Sequence, residues 1–274
     1  MKKPKQKLKW MKEVVLCLSC ILLVFLGKDI QNLFEKMNRG NREREKIRKR
    51  IEKTENRHRT NQMFLRDVLE YRALYLCFEE LIEPYEEKYS LKEIENCTRI
   101  IAMVDEKYGE RGFDAPLILA WLEKESDGNP EAVSYAGAKG LTQLMDFNAK
   151  EIFVSLGYRG NKRNLAFNPV TNLSGGMHHV QTLMNFWMKK GIKNQTLILF
   201  YSLHSYKWGV NNTLQLFNSG KKAYRPAVEY VNWILNHREY WAERLEYYQK
   251  NINQYFKESP REKFNTNIHL ESFQ

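Results

Sequence analysis

The stretch from Asp114 to Met145 constrains this chain more than any other, because it opens with a run that offers water no polar side. Leu117, Ile118, Leu119, Ala120, Trp121 and Leu122 follow an Asp114 suited to an N-cap and a first-turn Pro116. A helical turn takes about 3.6 residues, so these apolar residues cover every face and predict a buried helix that ends near Ser126. Glu125 follows Leu117 and Trp121 at steps of four and Ile118 at a step of seven, so its carboxylate lies along an apolar row. It also sits beside the negative helix end, and both effects disfavour its ionised form. A raised pKa keeps a glutamic acid protonated near neutrality, which is what a general acid needs to protonate a leaving oxygen. Glu123 points to roughly the opposite side of the helix. Taken alone, Glu125 also fits a solvated carboxylate at a helix end. Beyond it, Gly128, Asn129 and Pro130 predict a turn. Gly137, Gly140, Ala136 and Ala138 predict a loop whose backbone comes close to another part of the molecule and leaves room for a bulky ligand.

The order Glu125-Ser126, Asn129-Pro130, Ala132-Val133-Ser134, Gly137-Ala138, Gly140-Leu141 and Gln143-Leu144-Met145 closely resembles the lytic transglycosylase domain of the goose-type lysozyme superfamily. The likeness continues through Asn168-Pro169, Asn172, Gly176, Phe200-Tyr201 and Tyr230-Val231 with Ile234, covering about residues 97 to 240. It implies a mainly α fold with a lysozyme-like helical catalytic domain, in which the Glu of the Glu-Ser pair is the sole acid/base. The carry-over puts that role on Glu125 and makes Ser126 its polar neighbour. Gly140, Leu141, Thr142 and Gln143 stand at the Gly-Leu-Met-Gln element, with Thr142 in place of Met, and Gly140 and Gln143 are expected to contact substrate. The Ala-Tyr-Asn-Ala-Gly element, set on Tyr201, Ser202, Leu203 and His204, makes Tyr201 and Ser202 further contacts. Ser202 is shorter than Asn by an amide and His204 fills the space of a Gly, so this rim is expected to be reshaped. Tyr230 falls at the Tyr-Val element, whose phenol lies close to the acid.

Glycosidases normally pair the acid with a second carboxylate, about 5 Å away as nucleophile or about 6.5–9.5 Å away as base. Asp127, Glu131 and Asp146 match no catalytic position of the family. A lone acid suffices if the substrate supplies the other group: the 2-acetamido carbonyl can assist at the anomeric carbon and the 6-hydroxyl can attack. The resemblance therefore implies cleavage of the MurNAc-GlcNAc bond of peptidoglycan with 1,6-anhydro ends and neither cofactor nor metal. A hydrolytic goose-type lysozyme would use the same Glu125. A non-catalytic peptidoglycan-binding or scaffold protein is the third reading, motivated by Thr142, Ser202 and His204. Trp121, Tyr135, Tyr201, Tyr206, Trp208 and Tyr230 all lie near these motifs, and apart from Tyr230 each reads more readily as core than as a platform for sugar.

The net charge of +11 comes largely from the first sixty residues. Lys2 to Lys12 precede an apolar run, Val14 to Leu26, that is close with its flanks to the roughly 18–20 residues of a membrane span. No small-x-small cleavage site follows it. An uncleaved inner-membrane anchor is expected, with a single pass, the basic flank in the cytoplasm and the catalytic domain on the periplasmic side. From Asp29 to about Arg59 the charges are mixed in sign, with Ile47 and Ile51 four apart and no Phe, Tyr or Trp interleaved with the basic residues from Arg39 onward. That describes a solvated helical stem, and export separates it from nucleic acid. The expected partners are peptidoglycan strands and the membrane, with no protein partner indicated. The organisation expected is residues 1–27 anchor, 28–89 stem with the first helix of a hairpin, 90–248 catalytic domain and 249–274 polar tail.

The hairpin is read from Met63 to Glu83, closed by Pro84, and Leu91 to Tyr108. Cys77 and Cys97 are equidistant from a turn near Glu87, so either a disulfide or two buried free thiols fits. Further helices are expected over Phe147–Leu156, Val170–Lys190 and Gln195–Ser205, with a loop from Gly157 to Asn168. His178 and His179 diverge by about 100° on a helix, so they read as surface or core residues and no metal site is expected.

Overall fold

The computed structural model describes residues 45–46, 48–49, 51–54, 67–219 and 224–258. The chain divides into two compact units, Met1–Leu65 and Arg66–Gln274. In the first, the described residues are helical and exposed, and Lys49 pairs with Glu45 one turn earlier at 3.2 Å. The run Val14–Leu26 lies outside the described residues. Among those described, no helix is long and apolar enough to cross a membrane.

The second unit is mainly helical. Helix α1 (67–82) runs into a 3-10 turn, Glu83–Lys88, and is followed by α2 (Leu91–Tyr108), α3 (Ala115–Ser126), α4 (Asp146–Ser155) and α5 (Lys162–Phe167). Then come α6 (Pro169–Lys189), α7 (Gln195–Trp208), α8 (Val210–Ser219) and α9 (Arg225–Glu258). Several of these starts are fixed by one polar side chain. Ser90 and Glu93 form a reciprocal capping box, and Asp114, Asn168 and Asn194 each accept the N–H three residues on, at 3.1, 3.0 and 3.0 Å.

Helix α3 is the axis of the unit. Every residue from Ala115 to Leu122 is buried, and α9 packs along it more extensively than any other element. Side chains such as Leu119 or Ile118 each contribute about 2 kcal/mol when withdrawn from water. Helix α9 is tied on by charge as well: Arg238 Nε donates to both oxygens of Asp114 at 2.9 and 3.0 Å, and Arg244 donates to Glu80 of α1. One apolar cluster joins α1, α2, α3, α6, α7 and α9, and a smaller one, Leu144, Ala149, Ile152, Phe153 and Ala166, holds α4 and α5. Helix α1 is thus part of the main core. Cys77 and Cys97 lie in that core as free, fully buried thiols, each raised well above the ordinary thiol range chiefly by burial.

Three stretches differ from the expectation. The segment 157–168 is not all loop, since α5 occupies Lys162–Phe167. Helices α8 and α9 have no counterpart in the reading above, and α9 continues through residue 258, beyond the point at which a polar tail was expected.

Between α3 and α4 the chain is compact without a regular strand. Lys139 bridges to Val133 on one side and Leu144 on the other. Asn172 of α6 anchors this loop from below, its Oδ1 accepting from Thr142 N (2.7 Å) and Thr142 Oγ1 (2.8 Å), its Nδ2 donating to Lys139 O and Ala166 O. Gly140 has φ +74, and a Cβ there would stand 2.2 Å from Ala166 O and 2.4 Å from Asn172 Nδ2, so only glycine lets the loop close on that hub. Gly137 was expected to be a second close approach. It has φ +85 but nothing within 4 Å of a Cβ, so its role is the turn alone. Gly140→Ala should therefore cost about 2–4 kcal/mol, from overpacking added to left-handed strain, and Gly137→Ala about 1–2 kcal/mol from strain alone. Urea denaturation of the two variants checks this difference.

Candidate functional site

Glu125 stands in the last turn of α3, part-buried, where the apolar helix reaches the edge of its core. Tyr230 of α9 donates its hydroxyl to Glu125 Oε1. Trp121, one turn back and fully buried, packs edge-on against Tyr206 of α7, with centroids 5.2 Å apart and planes at 90°. Tyr206 in turn donates to Thr142 O at 2.6 Å, which joins α7 to the 127–145 loop. Lys207, exposed on α7, places Nζ 5.2 Å from the centroid of the Tyr230 ring.

Burial pushes the Glu125 carboxyl up to about 7. The Tyr230 hydrogen bond opposes that rise, as do the Lys207 charge, the Trp121 indole N–H and the Lys124 charge, in that order. The Trp121 N–H is itself buried and forms no hydrogen bond. Burial and the nearby carboxylate hold both phenols, Tyr206 and Tyr230, well above their ordinary range, so they stay neutral donors. Glu123 takes the other side of α3, where it accepts from Trp241 Nε1 at 2.7 Å and meets His237 Nε2 at 3.1 Å. The carboxyls of Glu131 and Asp146 are engaged elsewhere, in ion pairs with Lys88 and Lys139.

Ser126 ties α3 to the loop, donating to Leu141 O at 2.8 Å. Gln143 adopts φ +53, and its Nε2 donates to Ala132 O (3.1 Å) and Gly140 O (2.9 Å). These bonds offset the cost of a left-handed backbone at a non-glycine residue and keep Gln143 in place. Thr142 is fully buried, its hydroxyl satisfied by Asn172 and its side chain packed so closely on Gly176 that a Cβ there would lie 2.5 Å away. It occupies the interior side of the loop.

Tyr201 and Ser202 are placed differently from the expectation. Tyr201 stacks on Trp187 at 4.9 Å and meets Phe217 edge-on, inside the packing of α6, α7 and α8. Ser202 is fully buried and donates to Ile198 O at 2.6 Å, which leaves it no surface to offer a ligand. His204 is likewise buried, its Nδ1 bonded to Thr213 Oγ1 at 2.9 Å, and burial lowers its pKa. The residues brought to Glu125 are Tyr206 and Lys207, which sequence reasoning left unassigned. The missed signal is Gly209: α7 turns there, at φ +89, and not at His204. Set on that glycine, the Ala-Tyr-Asn-Ala-Gly element falls on Ser205, Tyr206, Lys207, Trp208 and Gly209, keeping its Tyr and its Gly. His179 of α6 lies 5.3 Å from the Tyr206 ring and is pulled down to about 4 by burial and by His178, so it stays neutral. Among the described residues no three side chains are grouped to hold a metal ion.

Because the folded-state pKa of Glu125 is raised from an ordinary 4.5 to about 7, the folded state holds that proton more tightly than the unfolded one. The group's contribution is most favourable below pH 4.5 and is lost as pH rises through 7. Glu125→Gln should therefore match the parent in stability near pH 4 and exceed it near pH 8 by up to about 3 kcal/mol. Urea denaturation at the two pH values measures the difference.

Residues 102–227 match the family model described as "Transglycosylase SLT domain". Membrane-bound lytic murein transglycosylase C of Salmonella typhi is 35% identical over 125 residues, 45% of this chain and 34% of that protein. The protein of the same name from Cronobacter sakazakii is 34% identical over 138 residues, 50% of this chain and 37% of its own length. The chain thus spans about a third of the length of these curated relatives. Among solved structures, an inactive mutant of the lytic transglycosylase Slt from Pseudomonas aeruginosa aligns with TM-score 0.42 and 18% identity, over 52% of this chain and 23% of that one. On the sequence matches, the resemblance to the lytic transglycosylases holds over residues 102–227, which take in Glu125, Ser126, Gly140 and Gln143 and stop short of Tyr230.

Proposed function

We propose that this chain is a peptidoglycan lytic transglycosylase that uses Glu125 as its only acid/base. The observation that carries the reading is a desolvated carboxyl whose pKa of about 7 leaves it partly protonated at neutral pH, bonded to a phenol that stays neutral. With Tyr230 occupying Oε1, the other carboxyl oxygen is the one that delivers the proton to the glycosidic oxygen. The C–O bond to the anomeric carbon of MurNAc breaks, and the 2-acetamido carbonyl stabilises the centre that is left. Glu125, now a carboxylate favoured by Tyr230 and Lys207, takes the proton of the muramyl 6-hydroxyl as that oxygen closes onto the anomeric carbon. The acid is restored and the product carries a 1,6-anhydro end.

In this reading Gln143 stands on the side of the loop that meets the glycan strand, while Gly140, expected as a further contact, is buried against Asn172 and Ala166 O and lets the loop close; Ser126 fixes the loop against the helix that carries the acid. The lysozyme-like arrangement of the domain belongs to the same proposal. The relatives are named membrane-bound, which fits a Val14–Leu26 anchor holding the catalytic unit on the periplasmic face of the inner membrane. Glu125→Gln in the detergent-purified full chain should lower muropeptide release from purified cell wall by at least about a hundredfold. Activity within tenfold of the parent contradicts the role given to Glu125.

A further inference from the structure

Lys207 enters the proposed reaction only as a charge that favours the carboxylate, and its seat beside Tyr230 points to a more specific role. It lies in the last turn of α7, exposed to solvent, and its ammonium stands 5.2 Å from the centroid of the Tyr230 ring. The hydroxyl of that ring donates to Glu125 Oε1. Cation, aromatic face, phenol and carboxyl therefore form a continuous chain from solvent to the part-buried acid. A cation over a phenol is attracted to the face of the ring and polarises the ring, which strengthens the O–H as a donor to an anion. In the register fixed by Gly209, Lys207 occupies the place of the Asn in the Ala-Tyr-Asn-Ala-Gly element. This chain thus puts a full charge where that pattern has a neutral amide.

We propose that Lys207 is a positioning residue for the Glu125–Tyr230 pair: seated on the Tyr230 ring, its ammonium sets the pH range over which Glu125 keeps its proton. The proposal rests on Glu125 being the acid. The other groups that act on Glu125 do not duplicate this role. Tyr206 from α7 and Tyr230 from α9 are neutral phenols, and Trp121 from α3 carries no charge. From α6, His179 faces Tyr206 as a neutral ring. The loop side is closed by Ser126 and Leu141, which do not titrate. The second cation, Lys124, is held 4.6 Å over the Trp233 ring and acts on Glu125 less than Lys207 does. Lys207 is exposed, so its influence is open to salt.

A positive charge favours the carboxylate and lowers the pKa, so its removal raises the pKa and lets the protonated acid persist to higher pH. The test uses the full chain in detergent with 13C-carboxyl glutamate, the Glu125 signal being identified by its loss in Glu125→Gln. Its titration is followed in the parent, Lys207→Met and Lys207→Arg, beside the pH dependence of kcat/KM on purified glycan strands. The midpoint of Glu125 and the alkaline limb of kcat/KM should both move to higher pH in Lys207→Met and return in Lys207→Arg. The difference between parent and Lys207→Met should narrow at high salt. An unmoved Glu125 midpoint in Lys207→Met overturns the role of Lys207, even if cleavage slows. A midpoint that moves while the alkaline limb stays in place leaves Lys207 acting on Glu125 and overturns Glu125 as the acid.

Discussion

Helix α3 is apolar on every side from Ala115 to Leu122, and such a helix can be accommodated only by surrounding it. Helices α1, α2, α6, α7 and α9 share the cluster that does so. The last turn of α3 is where that enclosure ends, and Glu125 is carried to the boundary by the same helix whose burial is favourable. The carboxyl is desolvated because its helix is in the core, and it remains reachable because the helix stops there. Removing a carboxylate from water costs of the order of 3 kcal/mol for a shift of this size, while each large apolar side chain of α3 contributes about 2 kcal/mol. A few of them outweigh the cost, so the raised pKa of Glu125 is sustained by the packing behind it.

The same economy of contacts places the groups around the acid. Asn172, buried on α6, makes three side-chain hydrogen bonds to the loop running from Lys139 to Thr142 and a fourth to Ala166 O of α5, and Tyr206 donates to Thr142 O from α7. Ser126 fastens the loop to α3. The hydroxyl that Thr142 introduces at a position where the family has methionine is thereby satisfied. Helix α9 reaches α3 with the bidentate Arg238–Asp114 pair at one end and Tyr230 at the other, so the partner of Glu125 is positioned by the element that covers most of α3.

What was legible in the sequence followed from strong local signals. The helical pattern from Leu91 to Tyr108 gave α2 its observed limits, and Asp114 with Pro116 gave the start of α3. The mainly α class and the family resemblance rested on such elements and on the motif order from Glu125 to Met145. Helix α9 was not legible beyond Tyr230-Val231-Ile234, because Trp233, His237, Tyr240 and Trp241 interrupt its charged residues and blur a single apolar stripe. The register at the end of α7 failed for a different reason. Tyr201 and Tyr206 lie five residues apart, roughly 140° around the helix, and the resemblance accepts either. Only the turn at Gly209 and the packing on Trp121 distinguish them, and the packing is tertiary information. The α5 turn was hidden similarly, since Leu165 and Ala166 become apolar anchors only against the satellite core of α4.

The central claim is that one part-buried acid acts without an external nucleophile, the sugar's own 6-hydroxyl taking the place of water. Digestion of purified cell wall by the full chain in 18O-labelled water, followed by mass spectrometry of the released muropeptides, tests this most directly. The account predicts 1,6-anhydro-muramyl ends with no 18O incorporated. Reducing muramyl ends carrying one 18O would show that water attacks, and would contradict it.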